Sequence, residues 1–204
     1  MLPLLAFIWH AQYRRSSKAV TSVTRHRRET RQETWAPLIL SVGDWRRKMT
    51  KGFVSQVVAH SEEFLLGRDI STVFPLFSPE GEKLWAPGWD YTNLLGSTEL
   101  YPDYLFLTDT HDHQSAQAIW IVSGYEPDKH HVSYYKVEPG QKVGKIVVQC
   151  FEQNRSSTLV KVTYKYIGLS DSGNRFVAGF TKEAYSEFIG EWRTLLHDYF
   201  WKGL

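Results

Sequence analysis

Cysteine occurs once in the 204 residues, at Cys150. No intrachain disulfide can form, and that usage fits a reducing, cytoplasmic setting. No apolar run approaches the roughly 18 residues that a membrane-spanning helix needs. There is no nucleophile elbow, no glycine-rich phosphate loop and no zinc-protease helix motif, so covalent hydrolysis and nucleotide chemistry lose their usual signatures. A large excess of either charge is also lacking, the formal net charge being +2.

That small net charge conceals an asymmetry. Residues 1–48 hold ten Lys/Arg against three Asp/Glu, and residues 49–204 hold fourteen against nineteen. A basic head thus precedes a mildly acidic body. An acidic body does not suit nucleic acid, whose binding rests on neutralising phosphates. In the head, Leu2–Trp9 is apolar but short, with no basic residue before it and no small-residue cleavage site after it. The stretch Arg14–Thr34 is rich in Arg, Ser and Thr and has no apolar period. It is compatible with a transit peptide, an unpacked extension, or upstream sequence ahead of a true start at Met49; the last is the expectation adopted. Domain organisation is therefore read as an extension over 1–48 and one domain over 49–204.

The body shows clear punctuation. Phe53–Leu66 is β-branched and free of proline, and reads as a strand. Asp69 is placed to cap a short helix over Ile70–Phe74, which Pro75 stops. Ser78-Pro79-Glu80 restarts a helix that ends near Trp85, before Ala86-Pro87-Gly88. Strands are then expected at Thr92–Ser97, Tyr104–Thr110, Ser115–Tyr125, His131–Glu138, Val143–Glu152 and Thr158–Leu169. Short links, among them a type II turn at Pro139-Gly140, make consecutive strands antiparallel neighbours. In the last strand Val160, Val162, Tyr164 and Tyr166 share one face and Lys161, Thr163 and Lys165 the other. Thr181 caps a final helix whose apolar stripe runs through Tyr185, Phe188, Ile189, Trp192, Leu195, Leu196 and Tyr199.

This order, with FPLFSPEGEKLWAPGW (Phe74–Trp89), AIWIVSGYEPD (Ala118–Asp128), YYKVEPGQKVGKIVV (Tyr134–Val148) and EWRTLLHDYF (Glu191–Phe200), resembles the START-like or SRPBCC superfamily. The resemblance covers about residues 52–201 and is strongest to bacterial polyketide cyclase and lipid-transport-like members. It implies an α+β helix-grip fold: a curved antiparallel sheet of six or seven strands around a long C-terminal helix, with two short helices after the first strand. It further implies a cavity for a hydrophobic ligand, while leaving the activity open.

The aromatic share, 15%, offers candidates for lining such a cavity. Tyr164 and Tyr166 follow from strand alternation and Trp192 from the helix stripe. Phe106, Trp120, Tyr135 and Tyr185 join them as aromatics of the strands and final helix, and the family motif adds Trp89 and Tyr91. Within Ser115–Tyr125, Trp120 and Ile121 are equal candidates for the inner face. Glu82 is the candidate acid/base, whereas Glu80 is already explained as a partner of its helix dipole. Adjacent Glu62 and Glu63 point to opposite faces of a strand. His111-Asp112-His113 and His130-His131 suggest a metal, but a strand of about 33 Å separates the two turns, so no metal site and no cofactor are expected. Cys150 shares parity with Ile146 and Val148 and reads as a buried thiol. The expected function is sequestration or transport of a small hydrophobic or aromatic molecule. The alternatives are a cyclase or dehydratase working with Tyr or Glu, and a chaperone-associated module without a cavity. Ligand identity and oligomeric state are not legible.

Overall fold

The computed structural model describes residues 52–109 and 117–202. The expected basic head and the His111-Asp112-His113 turn lie outside these residues.

Strand β1 (Val57–Leu66) is followed by helix α1 (Ile70–Val73), a 3-10 turn (Phe74–Phe77) and helix α2 (Pro79–Trp85). Six strands follow: β2 (Thr92–Asn93), β3 (Leu105–Thr108), β4 (Ala118–Glu126), β5 (His131–Glu138), β6 (Lys142–Asn154) and β7 (Ser157–Gly168). Helices α3 (Asp171–Gly179) and α4 (Lys182–Lys202) close the described chain. All seven strands join one antiparallel sheet in the order β1-β7-β6-β5-β4-β3-β2. The first strand of the described chain therefore lies beside the last. Helix α4, 21 residues and so about 31 Å long, matches a sheet whose seven strands sit ~4.8 Å apart. Among the described residues no helix is long and apolar enough to cross a membrane.

Local chemistry fixes the element ends where the sequence expects them. The Asp69 carboxylate accepts from Thr72 N–H at 3.0 Å, and the surrounding hydroxyls of Ser71 and Thr72 hold its pKa down to about 2. Ser78 Oγ accepts from Gly81 N–H at 3.0 Å, with Pro79 as the first residue of α2. Gly81 is required there: an added Cβ would lie 2.2 Å from Pro75 O, because α2 packs directly on the preceding turn. Gly140 takes φ +71° after Pro139, and Gln141 N–H donates to Glu138 O at 3.0 Å, giving the type II turn.

Three expectations are corrected. The first strand begins at Val57, not Phe53, and β2 is two residues long, not six. Helix α3 was not anticipated, because DSGNRFVAG has two glycines and little apolar period. Its stop and start are nonetheless physical: Ser170 Oγ accepts from Gly173 N–H at 3.2 Å, and Gly173 has no room for a Cβ, which would meet Gln141 O at 1.8 Å. This close approach clamps α3 onto the β5–β6 turn.

The core lies between the concave sheet face and α2 and α4. Along β6 and β7 the even-numbered residues point inward, among them Ile146, Val148, Cys150, Val160, Val162, Tyr164 and Tyr166. From α4, Tyr185, Ile189, Trp192 and Leu196 descend onto them. Burial pushes the Cys150 thiol up to about 12, as befits an apolar interior.

Candidate functional site

Strand register builds the site row by row. On the inner face Val122, Tyr134, Ile146, Tyr164 and His60 lie side by side across β4, β5, β6, β7 and β1. Tyr134 and Tyr164 are thus two strand spacings apart, about 10 Å. The neighbouring row is Phe106, Trp120, Lys136, Gly144, Tyr166 and Val58. Gly144 cedes its place to the Tyr166 ring, whose Cε1 would lie 2.7 Å from an added Cβ.

Rings occupy much of this interior. Trp192 meets Trp85 edge-on at 5.3 Å between centroids, stacks on Phe77 at 6.3 Å and faces Tyr164 at 6.2 Å. Towards the other end of the sheet, Trp120 stacks on Phe106 at 5.5 Å and meets Trp89 at 5.7 Å and Tyr134 at 6.0 Å. Tyr166 is boxed by Phe176 and Phe180 at 5.1 and 4.9 Å.

Most polar atoms within this aromatic body have a protein partner. Tyr134 Oη donates to Phe77 O at 2.8 Å and Tyr185 Oη to Val162 O at 2.7 Å. The indole N–H groups of Trp85, Trp89 and Trp120 donate to Leu76 O, Pro79 O and Thr108 Oγ1. Tyr91 Oη donates to Glu80 Oε1 at 2.6 Å, on the outer side of α2.

Four polar groups stand apart. The Glu82 carboxylate, the hydroxyls of Tyr164 and Tyr166 and the Trp192 indole N–H have no hydrogen-bond partner among the described residues. None of the four is fully sealed, so each unpartnered atom keeps some accessible surface. Burial pushes the Glu82 carboxyl up to about 8, and no lysine, arginine or histidine offsets it. Its charge in turn reaches both tyrosines of the central row: Tyr134 is raised by burial and then by Glu82, and Tyr164 by burial, by Tyr166 and by Glu82. Among the described residues no three His, Cys, Asp or Glu side chains are grouped so as to hold a metal ion.

The structure disperses the expected lining residues unevenly. Phe106, Trp120, Tyr164, Tyr166, Tyr185 and Trp192 are buried on the concave side, and Trp89 and Tyr91 pack half-buried at its edge. Trp120 takes the inner face and Ile121 the outer. Tyr135 is misplaced by the sequence reading: it is 39% exposed on the convex face under the Lys145 ammonium, and Tyr134 faces inward instead. Tyr185 and Trp120 spend their polar atoms within the protein, so they contribute walls only. Glu80 lies on the outer side of α2, and Glu62 sits on the concave side of the edge strand β1, accepting from the Ser186 hydroxyl of α4.

One cluster escaped the sequence reading entirely. Lys136, Glu138 and Lys142 project into the β5–β6 end of the concave face, with Lys136 Nζ 3.1 Å from Glu138 Oε1 and Lys142 Nζ bonded to Glu138 Oε2. Burial opposes the Glu138 charge, but the two ammonium groups outweigh it and hold its pKa below the usual value. The signal available was the Glu138–Lys142 spacing across a tight turn, which pairs the two residues directly.

A groove of about 530 Å³ also lies outside the core, between α2 and the C-terminal half of α4, with Leu84, Trp89, Leu195 and Tyr199 in its walls.

Comparison with solved structures decides the architecture. A point mutant of norcoclaurine synthase from Thalictrum flavum superposes with a TM-score of 0.51 at 8% identity, covering 69% of this chain and 93% of that one. Ara h 8.0201 gives 0.51 at 11% identity, covering 71% and 95%. The chain has the helix-grip fold. No protein-family model and no curated protein matches it. At these identities the likeness speaks for the helix-grip fold alone. The site must be argued from its own residues.

Proposed function

We propose that the helix-grip interior binds a small hydrophobic or aromatic molecule, which the protein sequesters or carries within a reducing compartment. The observation that supports this is the set of polar groups without protein partners, Glu82, Tyr164, Tyr166 and Trp192, set among the aromatic rings between the sheet and helices α2 and α4. Buried polar groups are ordinarily hydrogen-bonded. Leaving several unmade in one place costs stability, about 1–3 kcal/mol for each group. A ligand that satisfies them recovers that cost and orients itself, while ring contact supplies affinity at about 25 cal/mol per Å² before association costs.

A second reading rests on Glu82 itself. A carboxyl poised at about 8 beside a tyrosine hydroxyl has the protonation behaviour of a general acid/base. That favours a cyclase- or dehydratase-like proton transfer on the bound molecule.

Native mass spectrometry of the purified full chain, followed by solvent extraction, tests the binding proposal. A co-purifying lipid, pigment or aromatic compound, lost in Trp192→Ala and weakened in Tyr166→Phe, is the expected result. Clean apoprotein with no thermal shift against lipids or aromatic polyketides would count against it. Conversion of the extracted compound by the wild type but not by Glu82→Gln would establish the second reading.

A further inference from the structure

Strand β1 forms one edge of the sheet, and only the side towards β7 is paired. Gly168 N–H donates to Gln56 O at 3.0 Å, and from there the register runs without a shift from Val57–Ile167 to Leu66–Thr158. Bonded and non-bonded pairs alternate along an antiparallel ladder. The even-numbered residues of β1 therefore bond to β7, and the N–H and C=O groups of Val57, Ala59, Ser61, Glu63 and Leu65 point away from the sheet. None of these groups has a partner among the described residues. All five residues are exposed, Val57 at 55% and Leu65 at 51%. This ten-residue edge has no proline, no lysine and no bulge, which are the usual guards against pairing. Its two charges are engaged within the protein: Glu62 accepts from Ser186, and Glu63 lies 3.0 Å from Lys161 Nζ.

The order of side chains along the edge selects the partner. Two copies of β1, laid antiparallel about a two-fold axis at Ser61, set Ser61 against itself, Ala59 against Glu63 and Val57 against Leu65. Every outward N–H then meets an outward C=O, and the exposed apolar side chains at the two ends cover each other. On the convex face the row Val57, Ile167 and Val143 of one copy runs on into Leu65, Leu159 and Phe151 of the other. On the concave side Val58 comes opposite Phe64 and His60 opposite Glu62, so no like charges meet. Neighbouring registers lose this match. An axis at His60 sets Val57 against Glu63 and Leu65 against Ser55, and an axis at Glu62 sets that carboxylate against itself. An unrelated extended peptide would gain the backbone bonds without the match of the ends.

We propose that the free edge of β1 joins a second copy of this chain, antiparallel and two-fold symmetric about Ser61, so that one sheet runs across a homodimer. Edge pairing is a small interface, and the dimer exchanges with monomer as concentration falls.

Sedimentation of the full chain from about 1 µM to about 1 mM, with amide hydrogen exchange over the same range, tests this. The expected result is a monomer–dimer equilibrium in which protection of the Val57, Ala59, Ser61, Glu63 and Leu65 amides rises with concentration. Ser61→Lys sets two ammonium groups face to face on the axis and is expected to weaken the dimer about fivefold or more. Ala59→Lys sets a lysine against Glu63 of the second copy and is expected to keep Kd within about twofold of the parent or to lower it. Both positions are exposed, and near-ultraviolet circular dichroism checks that each variant folds. A full chain that stays monomeric throughout would overturn the inference. Protection of the same five amides in such a monomer would also overturn it, and would give the edge to residues that precede Gly52. A dimer unaffected by Ser61→Lys, or weakened equally by both substitutions, would overturn it as well.

Discussion

Glu82 makes a stability prediction that needs no ligand. Its carboxyl titrates at about 8 in the folded protein against a reference of 4.5. The folded pKa is the higher one, so between these values the folded state holds a proton that the unfolded state has lost. Stability must therefore fall as pH rises, by about 1.4 kcal/mol per unit across the window from about 4.5 to about 8. Integrated for this group, the loss between pH 5 and pH 7 is about 2.5 kcal/mol, and its full value, about 5 kcal/mol, is reached only above pH 8. Glu82→Gln has no such proton to lose. Urea unfolding of both proteins at pH 5, 7 and 9 should show a gap in the mutant's favour that widens with pH, from about 1 to about 3 to nearly 5 kcal/mol. Parallel stability curves would refute the reasoning, since they would mean the carboxyl is solvated in the folded state.

Further predictions concern the neighbouring groups. Tyr164→Phe removes a hydroxyl without a protein partner and should cost under about 0.5 kcal/mol, whereas Tyr134→Phe removes the buried hydrogen bond to Phe77 O and should cost about 1–3 kcal/mol in the same assay; Tyr185→Phe should cost about 1 kcal/mol, because Val162 O keeps the Ser61 hydroxyl. Gly81→Ala and Gly173→Ala drive a Cβ into backbone oxygen and should each lower stability by about 3 kcal/mol or more, read by thermal unfolding. Tyr135→Ala, on the convex face, should move stability by no more than about 1 kcal/mol and leave ligand binding unchanged; lost binding would contradict its placement. The Cys150 thiol, raised to about 12 and buried, should react with a disulfide reagent at neutral pH only as the protein opens, so its rate should rise with urea in step with unfolding.

Particular residues show where the sequence was readable. Turn chemistry located the strands, because Pro139-Gly140 and Asn154-Arg155-Ser156 sit at real reversals. The period of α4 was sustained over five turns, so its buried stripe Tyr185, Ile189, Trp192 and Leu196 could be recognised without a structure. Strand β5 misled for a physical reason. Its inward residues are Val132, Tyr134, Lys136 and Glu138, and its outward ones include Tyr135 and Val137. The buried Lys136–Glu138–Lys142 cluster makes the inner face look polar, so alternation alone favours the wrong tyrosine. Trp120 against Ile121 was undecidable for a related reason: β4 is apolar on both faces, and only its pairing with Phe106 sets the parity. Glu82 stood out because the helix dipole already explained Glu80, but that its carboxyl is buried without a partner was not legible. One turn of a seven-residue helix carries a carboxylate on each side, and Glu80 and Glu82 differ only in which side meets the sheet.

The central claim is that small molecules enter the ring-lined interior and not the outer groove beside α2. The most direct test is a nitrogen-edited NMR spectrum of the full chain, backbone amides and indole N–H groups together, during titration with the compound extracted from the protein. Trp192 has an uncommitted N–H inside the site, while Trp201, 80% exposed, lies near the C-terminal end of α4. The account predicts a saturable shift of the Trp192 resonance with Trp201 unmoved. Shifts of the groove residues Leu84, Leu195 and Tyr199 with Trp192 unchanged would place binding on the outside and contradict it.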